Sequence, residues 1–114
     1  ASCLVGSEMC IRDSKNTNQN CLVAHSGETL HGLVHYIFHA DNWETTDVCY
    51  LQDLFTLKEM RQQGIAKALI QAVYEAADTN GTPSVYWMTQ DFNQSARKLY
   101  DQVASLTPFI IYER

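Results

Sequence analysis

The polar run Lys15-Asn16-Thr17-Asn18-Gln19-Asn20 carries no apolar periodicity and reads as a loop or tail. Apolar residues first gather at Cys21 to His25. After the turn chemistry of Ser26-Gly27-Glu28, a stretch rich in Val, Ile and aromatics runs from Thr29 to His39. Together these predict two antiparallel strands joined as a hairpin. Beyond the acidic stretch Asp41 to Asp47, the run Val48 to Thr56 is largely apolar apart from Gln52 and Asp53 and predicts a third strand. The period then changes. Ile65, Ala68, Leu69, Ala72, Val73 and Ala76 recur at helical spacing between Gly64 and Asp78, the apolar stripe of an amphipathic helix. Asn80-Gly81 followed by Pro83 stops it. Ser84 to Thr89 reads as a fourth strand, and strand, helix, strand in this order implies a right-handed crossover between parallel strands. Ala96, Leu99, Tyr100 and Val103 mark a second helix over about Asn93 to Val103, and Phe109 to Tyr112 after Pro108 reads as a last strand. The pattern is that of an α/β fold built on a mixed, twisted sheet.

Size narrows this to one domain. A chain of 114 residues and 13.0 kDa buries about two thirds of its unfolded surface, enough for one core. No apolar run approaches the roughly 20 residues that cross a bilayer, and the start lacks a secretion-signal core, so the expectation is a soluble, cytoplasmic protein with no membrane partner. Eight Lys plus Arg against thirteen Asp plus Glu gives −5, which argues against nucleic acid as a partner. Cys3, Cys10, Cys21 and Cys49 form no CxxC pair, and a disulfide scaffold is not expected in a domain with this much core. Glu8-Met9-Cys10-Ile11-Arg12-Asp13-Ser14 resembles the translation of a transposon-end adapter used in preparing sequencing libraries. Residues 1–14 are therefore expected to be a non-native leader ahead of a single domain over 15–114, with the natural N-terminus missing; a genuine flexible leader is the alternative.

The chemistry concentrates where the third strand gives way to the first helix. Asp53-Leu54-Phe55-Thr56 is followed by Arg61-Gln62-Gln63-Gly64-Ile65-Ala66, so a strand, a tight loop and a helix start succeed one another. The first amides of a helix lack internal partners and the macrodipole makes that end positive, which stabilises a pyrophosphate if the backbone can approach. Gly64 and small Ala66 permit that approach. Lys58, Arg61 and Lys67 outnumber Glu59 here, and Arg97-Lys98 lie on the next helix, so local charge favours a phosphorylated ligand. On the loop alone, a helix N-terminus that merely follows a glycine is as good an account.

The loop is similar to the Gln/Arg-x-x-Gly-x-Gly/Ala pyrophosphate loop of the GNAT superfamily of acyl-CoA-dependent N-acetyltransferases, matched at Arg61, Gly64 and Ala66. The resemblance extends further, through Tyr50-Leu51-Gln52-Asp53-Leu54-Phe55, Gly81-Thr82-Pro83-Ser84-Val85-Tyr86-Trp87, Asn93 with Ala96 and Leu99-Tyr100, and Ile111-Tyr112 with Arg114. These segments resemble the branch containing yeast histone, polyamine and D-amino-acid N-acetyltransferases, over about Cys21 to Arg114. The resemblance implies the GNAT fold, with acetyl-CoA as co-substrate wedged where the strands ending near Thr56 and Thr89 splay apart. It also implies that the family's usual N-terminal strand and two helices have no counterpart before Cys21. Leu54, Phe55 and Thr56 would offer backbone groups to pantetheine and thioester. Arg61, Gln62, Gln63, Gly64, Ile65, Ala66 and Lys67 would cradle the pyrophosphate, and Asn93 would contact the pantetheine arm. Tyr100 lies about two helical turns beyond Asn93, on the same face. In the family this tyrosine protonates the departing thiolate, a role suited to a phenol with pKa near 10; a core aromatic is the plainer alternative. An amide near Leu54 would hold the oxyanion.

The acceptor expected is a primary amine on a small cation: a polyamine, an amino acid or a lysine-like amine. Such an amine arrives protonated and needs a base or a water relay before direct transfer. Asp53 is the candidate base. Gln52 stands where related polyamine acetyltransferases resemble one another in carrying glutamate, which favours a water relay. Asp41, Glu44, Asp47 and Asp53, with no Lys or Arg between Ala40 and Leu57, would attract a cation, or else form a solvated loop. His31, His35 and His39 recur every fourth residue, but on a strand successive members lie about 13 Å apart, too far to share a metal. Trp43 and Trp87 are expected to be packing residues, with stacking on the adenine as the alternative. A homo-oligomer is compatible with all of this. The rival from another class is a non-catalytic acyl-CoA-binding fragment without a complete acceptor pocket.

Overall fold

The computed structural model describes residues 4–9, 19–61 and 64–114. Among the described residues five strands form one sheet in chain order: β1 (Leu4–Met9), β2 (Gln19–Ser26), β3 (Thr29–His39), β4 (Val48–Thr56) and β5 (Val85–Tyr86). β1 through β4 are antiparallel neighbours, whereas β4 and β5 run parallel with helix α1 (Ile65–Thr79) between them in sequence. A 3-10 turn, Lys58–Met60, leads from β4 towards α1, and helix α2 (Gln94–Val103) follows β5. The α/β architecture with a mixed sheet is the one expected.

Alternation of side chains explains which face is covered. Leu22 and Ala24 on β2, Val34 and Tyr36 on β3, and Cys49 and Leu51 on β4 lie buried in one cluster with Ile65, Leu69, Ile70, Val73 and Ala77 of α1. Each buried Ile, Leu or Val contributes about 1.5–3 kcal/mol, so this stripe rather than helix propensity holds α1 on the sheet. Gly32 makes the seam close. A Cβ there would sit 2.7 Å from the Phe55 carbonyl oxygen and 3.3 Å from side-chain carbons of Ile65 and Leu69, and any larger residue would push the start of α1 outward. At the hairpin tip Gly27 adopts φ 59, which a β-carbon disfavours, and the strands turn there in the two residues Gly27-Glu28.

Several boundaries differ from expectation, and the differences have causes. β2 starts at Gln19 rather than Cys21 because Gln19 and Asn20 pair with Ile37 and Tyr36 of β3, so backbone pairing extends past the apolar run. The rest of the expected polar loop, Lys15 to Asn18, lies outside the described residues. Leu4–Met9 pairs antiparallel with β2, an edge strand within the segment set aside as a leader; the remainder of that segment is outside the described residues. β5 spans two residues instead of Ser84 to Thr89, and Phe109 to Tyr112 forms no strand. A strand needs a neighbour to satisfy its backbone groups. β5 is the last strand of the sheet and too short to template another, and Phe109 to Tyr112 lie at the surface, Tyr112 at 89% exposure. Trp43 is likewise 93% exposed, correcting its expected packing role, since it sits on the polar loop between β3 and β4. No helix among the described residues is long and apolar enough to cross a membrane.

Candidate functional site

β4 changes character halfway along. Cys49 and Tyr50 pair with Val85 and Tyr86 of β5, and the Cys49 amide donates to the Ser84 carbonyl at 2.8 Å. No pairing with β5 continues beyond Tyr50, although β3 still pairs on the other side as far as Thr56. A bulge lies between: Tyr36 faces Leu51 and His35 faces Asp53, leaving Gln52 as the extra residue. Bulges bend a strand and increase its twist. The edge of Leu54, Phe55 and Thr56 turned towards β5 therefore carries backbone groups free of strand pairing, with Phe55 about half exposed.

The loop after β4 delivers the chain to α1 with an open N-terminus. The Arg61 Nε donates to the Thr56 carbonyl over 3.5 Å. Gly64 caps the helix in the left-handed region at φ 78, with no side-chain cap, and apart from its chain neighbours no described residue lies within 4 Å of where its Cβ would be. The first bond into the helix runs from the Ala68 amide to the Gly64 carbonyl, 3.0 Å, so the amides of Ile65, Ala66 and Lys67 have no intrahelical acceptor. Open space over a glycine, beside amides that point outward at a positive helix end, fits a diphosphate. Lys67 is exposed and can add its charge. Gln62 and Gln63 lie outside the described residues.

α2 brings the remaining candidates. Asn93 is its N-cap, its side-chain oxygen accepting from the Ala96 amide at 3.3 Å, which leaves its side-chain NH2 as the group able to reach a ligand. Arg97 Nη1 donates to the Asp91 carbonyl, and the Tyr74 hydroxyl donates to the Val103 carbonyl, fixing α2 at both ends. Tyr100 is half-buried, its ring edge-on to Trp87 at 5.4 Å, and its hydroxyl bonds to no described residue. Burial raises its phenol above the ordinary value of 10.0. Trp87 also meets Tyr74, at 6.3 Å, and is a packing residue as expected.

The histidines go to separate partners. His35 Nδ1 lies 3.2 Å from Asp53 Oδ2 across the β3–β4 pair. His39 Nδ1 donates to the Ala40 carbonyl at 2.9 Å, so its Nε2 accepts from the Tyr86 hydroxyl at 2.7 Å when the ring is neutral. Tyr86 in turn stacks on Tyr50, centroids 4.9 Å apart, and its phenol is raised by burial first and then by Tyr50, Asp41 and Cys49. His31 is buried with Nδ1 unpartnered among the described residues. Among those residues no group of three or more His, Cys, Asp or Glu could hold a metal ion. In the acidic loop Asp41 accepts from the Trp43 amide at 2.9 Å, holding a turn, while Glu44 and Asp47 are exposed.

Residues 6–104 match the Acetyltransferase (GNAT) family. The chain belongs to that family. It is 40% identical over 83 residues to the D-amino-acid N-acetyltransferase HPA3 of Saccharomyces cerevisiae, covering 73% of this chain and 52% of that protein. It is 26% identical over 92 residues to the thialysine N-epsilon-acetyltransferase of Caenorhabditis elegans, 81% of this chain and 57% of that one. Among solved structures, the aminoglycoside acetyltransferase AAC(6')-Iy in complex with a bisubstrate analogue shares the fold, with TM-score 0.77, 21% identity, and coverage of 88% of this chain and 71% of that chain. The chain thus spans about half the length of the two sequence relatives.

Spacing alone did not reveal the His35–Asp53 pair or the His39–Tyr86–Tyr50 cluster. The first depends on the β3–β4 register, where the bulge at Gln52 leaves no mark in the hydrophobic pattern, and the second on the parallel pairing that sets Tyr86 beside Tyr50. Counting strand partners outward from the connection between His39 and Val48 would have brought the pair to within one residue.

Proposed function

We propose that this GNAT chain moves an acetyl group from acetyl-CoA directly to a primary amine of a small cationic acceptor. The observation that carries the reading is the open left-handed Gly64 at the mouth of α1, beside a β4 edge that has parted from β5. Amides from Ile65 to Lys67, with Arg61, Gln62 and Gln63, hold the pyrophosphate. The free edge of Leu54 to Thr56 takes the pantetheine, and Asn93 contacts that arm through its side-chain NH2. An amide near Leu54 stabilises the oxyanion that forms when the amine attacks. Tyr100, kept protonated by burial, gives its proton to the departing thiolate sulfur. Asp53 serves removal of the proton that the acceptor ammonium brings. The yeast relative is named for D-amino acids and the nematode one for thialysine, which supports an amine on a small, charged acceptor.

Calorimetry with acetyl-CoA, run beside a thiol-release assay over polyamines and D- and L-lysine, tests the reading. Heat with thiol release supports it, whereas heat without release leaves binding of acyl-CoA alone, and no heat removes both. Tyr100→Phe should lower turnover by about 10²-fold while leaving acetyl-CoA affinity in place. Unchanged turnover would take the acid role from Tyr100.

A further inference from the structure

We propose that His35 is the general base of the transfer, with Asp53 as the residue that positions it; this rests on the acetyltransferase reading above. Asp53 is directly opposite His35 because the bulge at Gln52 slips the register by one residue there. Its carboxylate can only accept, so the 3.2 Å contact places the ring proton of neutral His35 on Nδ1 and leaves Nε2 with its lone pair. This is the logic by which a carboxylate fixes the tautomer of a catalytic imidazole. The His35 side chain is 26% exposed and the Asp53 side chain 57%, so the ring is sheltered while solvent still reaches the pair.

His35 also lines a recess with Gln19, Asn20, Tyr36, Ile37 and Gln52, at the point where β4 bends away. Asp53 on β4 and the buried Cys21 thiol on β2 are the titratable residues directly opposite His35 on the two neighbouring strands, and Tyr36, next along β3, turns its ring to the core. Gln52 is neutral and its side-chain amide has no basic lone pair to take up a proton, whereas a neutral imidazole presents one on its unprotonated ring nitrogen. A base of that kind matches the task better than a carboxylate that is more than half exposed.

The protons balance as follows. One leaves the acceptor ammonium for His35 Nε2, directly or through one water, and passes on to solvent while Nδ1 keeps its proton and donates to Asp53. The freed nitrogen lone pair forms the bond to the acetyl carbon. The carbon–sulfur bond breaks, Tyr100 protonates the sulfur, and the second proton shed by the nitrogen restores Tyr100.

The test uses the full chain with acetyl-CoA and spermidine or lysine, comparing wild type with His35→Gln, His35→Ala and Asp53→Asn across pH 6.5 to 10. In the His35 variants kcat/KM at neutral pH should fall by about 10²-fold or more with acetyl-CoA affinity unchanged. The loss should shrink as pH approaches the acceptor's own pKa near 10, where free amine no longer needs a base. Added imidazole should restore part of the His35→Ala rate, and Asp53→Asn should show a smaller loss with the same pH shape. Neutral-pH kcat/KM unchanged in His35→Gln would overturn the assignment. The ring-nitrogen NMR shifts of His35 test the pair separately from turnover: the Nδ1–H tautomer is expected, changing in Asp53→Asn, and an Nε2–H ring in wild type would refute it. Absence of acetyl-CoA binding by wild type would instead defeat the acetyltransferase reading.

Discussion

The two halves of β4 have the same neighbour on one side and opposite fates on the other. Val48 to Leu51 is paired to β3 throughout and to β5 at Cys49 and Tyr50, mostly buried and closed over by α1. Gln52 to Thr56 keeps β3, loses β5 and faces solvent at Gln52, Asp53 and Phe55. One strand thus supplies both the half that anchors the sheet and an open half whose backbone, on the function proposed above, would meet the ligand. A site on a strand end is held by its own buried continuation, so its geometry does not depend on a mobile loop.

The largest effect expected from breaking this arrangement is at its far end. Gly64→Val puts a branched side chain into the open space above the helix mouth and into a left-handed conformation that costs a non-glycine residue about 1–2 kcal/mol. Heat of acetyl-CoA binding should vanish while far-ultraviolet circular dichroism stays that of the wild type; retained binding would place the pyrophosphate elsewhere. Neighbours across the bulge provide the next contrast. Leu51→Ala, buried at 3% exposure, should destabilise by about 2–5 kcal/mol in urea unfolding, and Gln52→Ala should change stability by no more than about 0.5 kcal/mol. Equal costs would mean that the bulge does not divide the strand.

The smallest effect is in alkali. Burial, together with Cys49 and Cys21, pushes the Tyr36 phenol from 10.0 up to about 12, and burial pushes the Cys49 thiol from 9.0 up to about 11. Folded values above unfolded ones mean a contribution that is complete below about pH 9 and lost as pH climbs through 11 to 12. The urea midpoint should hold level from pH 7 to 9 and then decline. A flat midpoint up to pH 11.5 would contradict the burial of these groups.

Much of this was legible in the residues because periodicity reports burial. The α1 stripe, all of β4 and the extent of α2 came from spacing, with Asn93 found as the cap one residue before the helix. The same logic misplaced Phe109 to Tyr112 and lengthened β5, since an apolar run states a preference for being covered and says nothing of whether a neighbour exists. The Gly64 loop could be read because its glycine and the following helix are local. The His35–Asp53 pair could not, as it joins residues 18 apart through a one-residue slip in register.

The thiol of Cys49 is enclosed at 0% exposure at the point where β4 and β5 meet, and it carries no disulfide. A reagent that alkylates thiols can reach it only in those moments when the packing of β4, β5 and α1 around it opens. Its rate of labelling is therefore a clock for breathing at the seam, and a slower clock with acetyl-CoA present would record, without any assay of turnover, that the ligand clamps the two strands together.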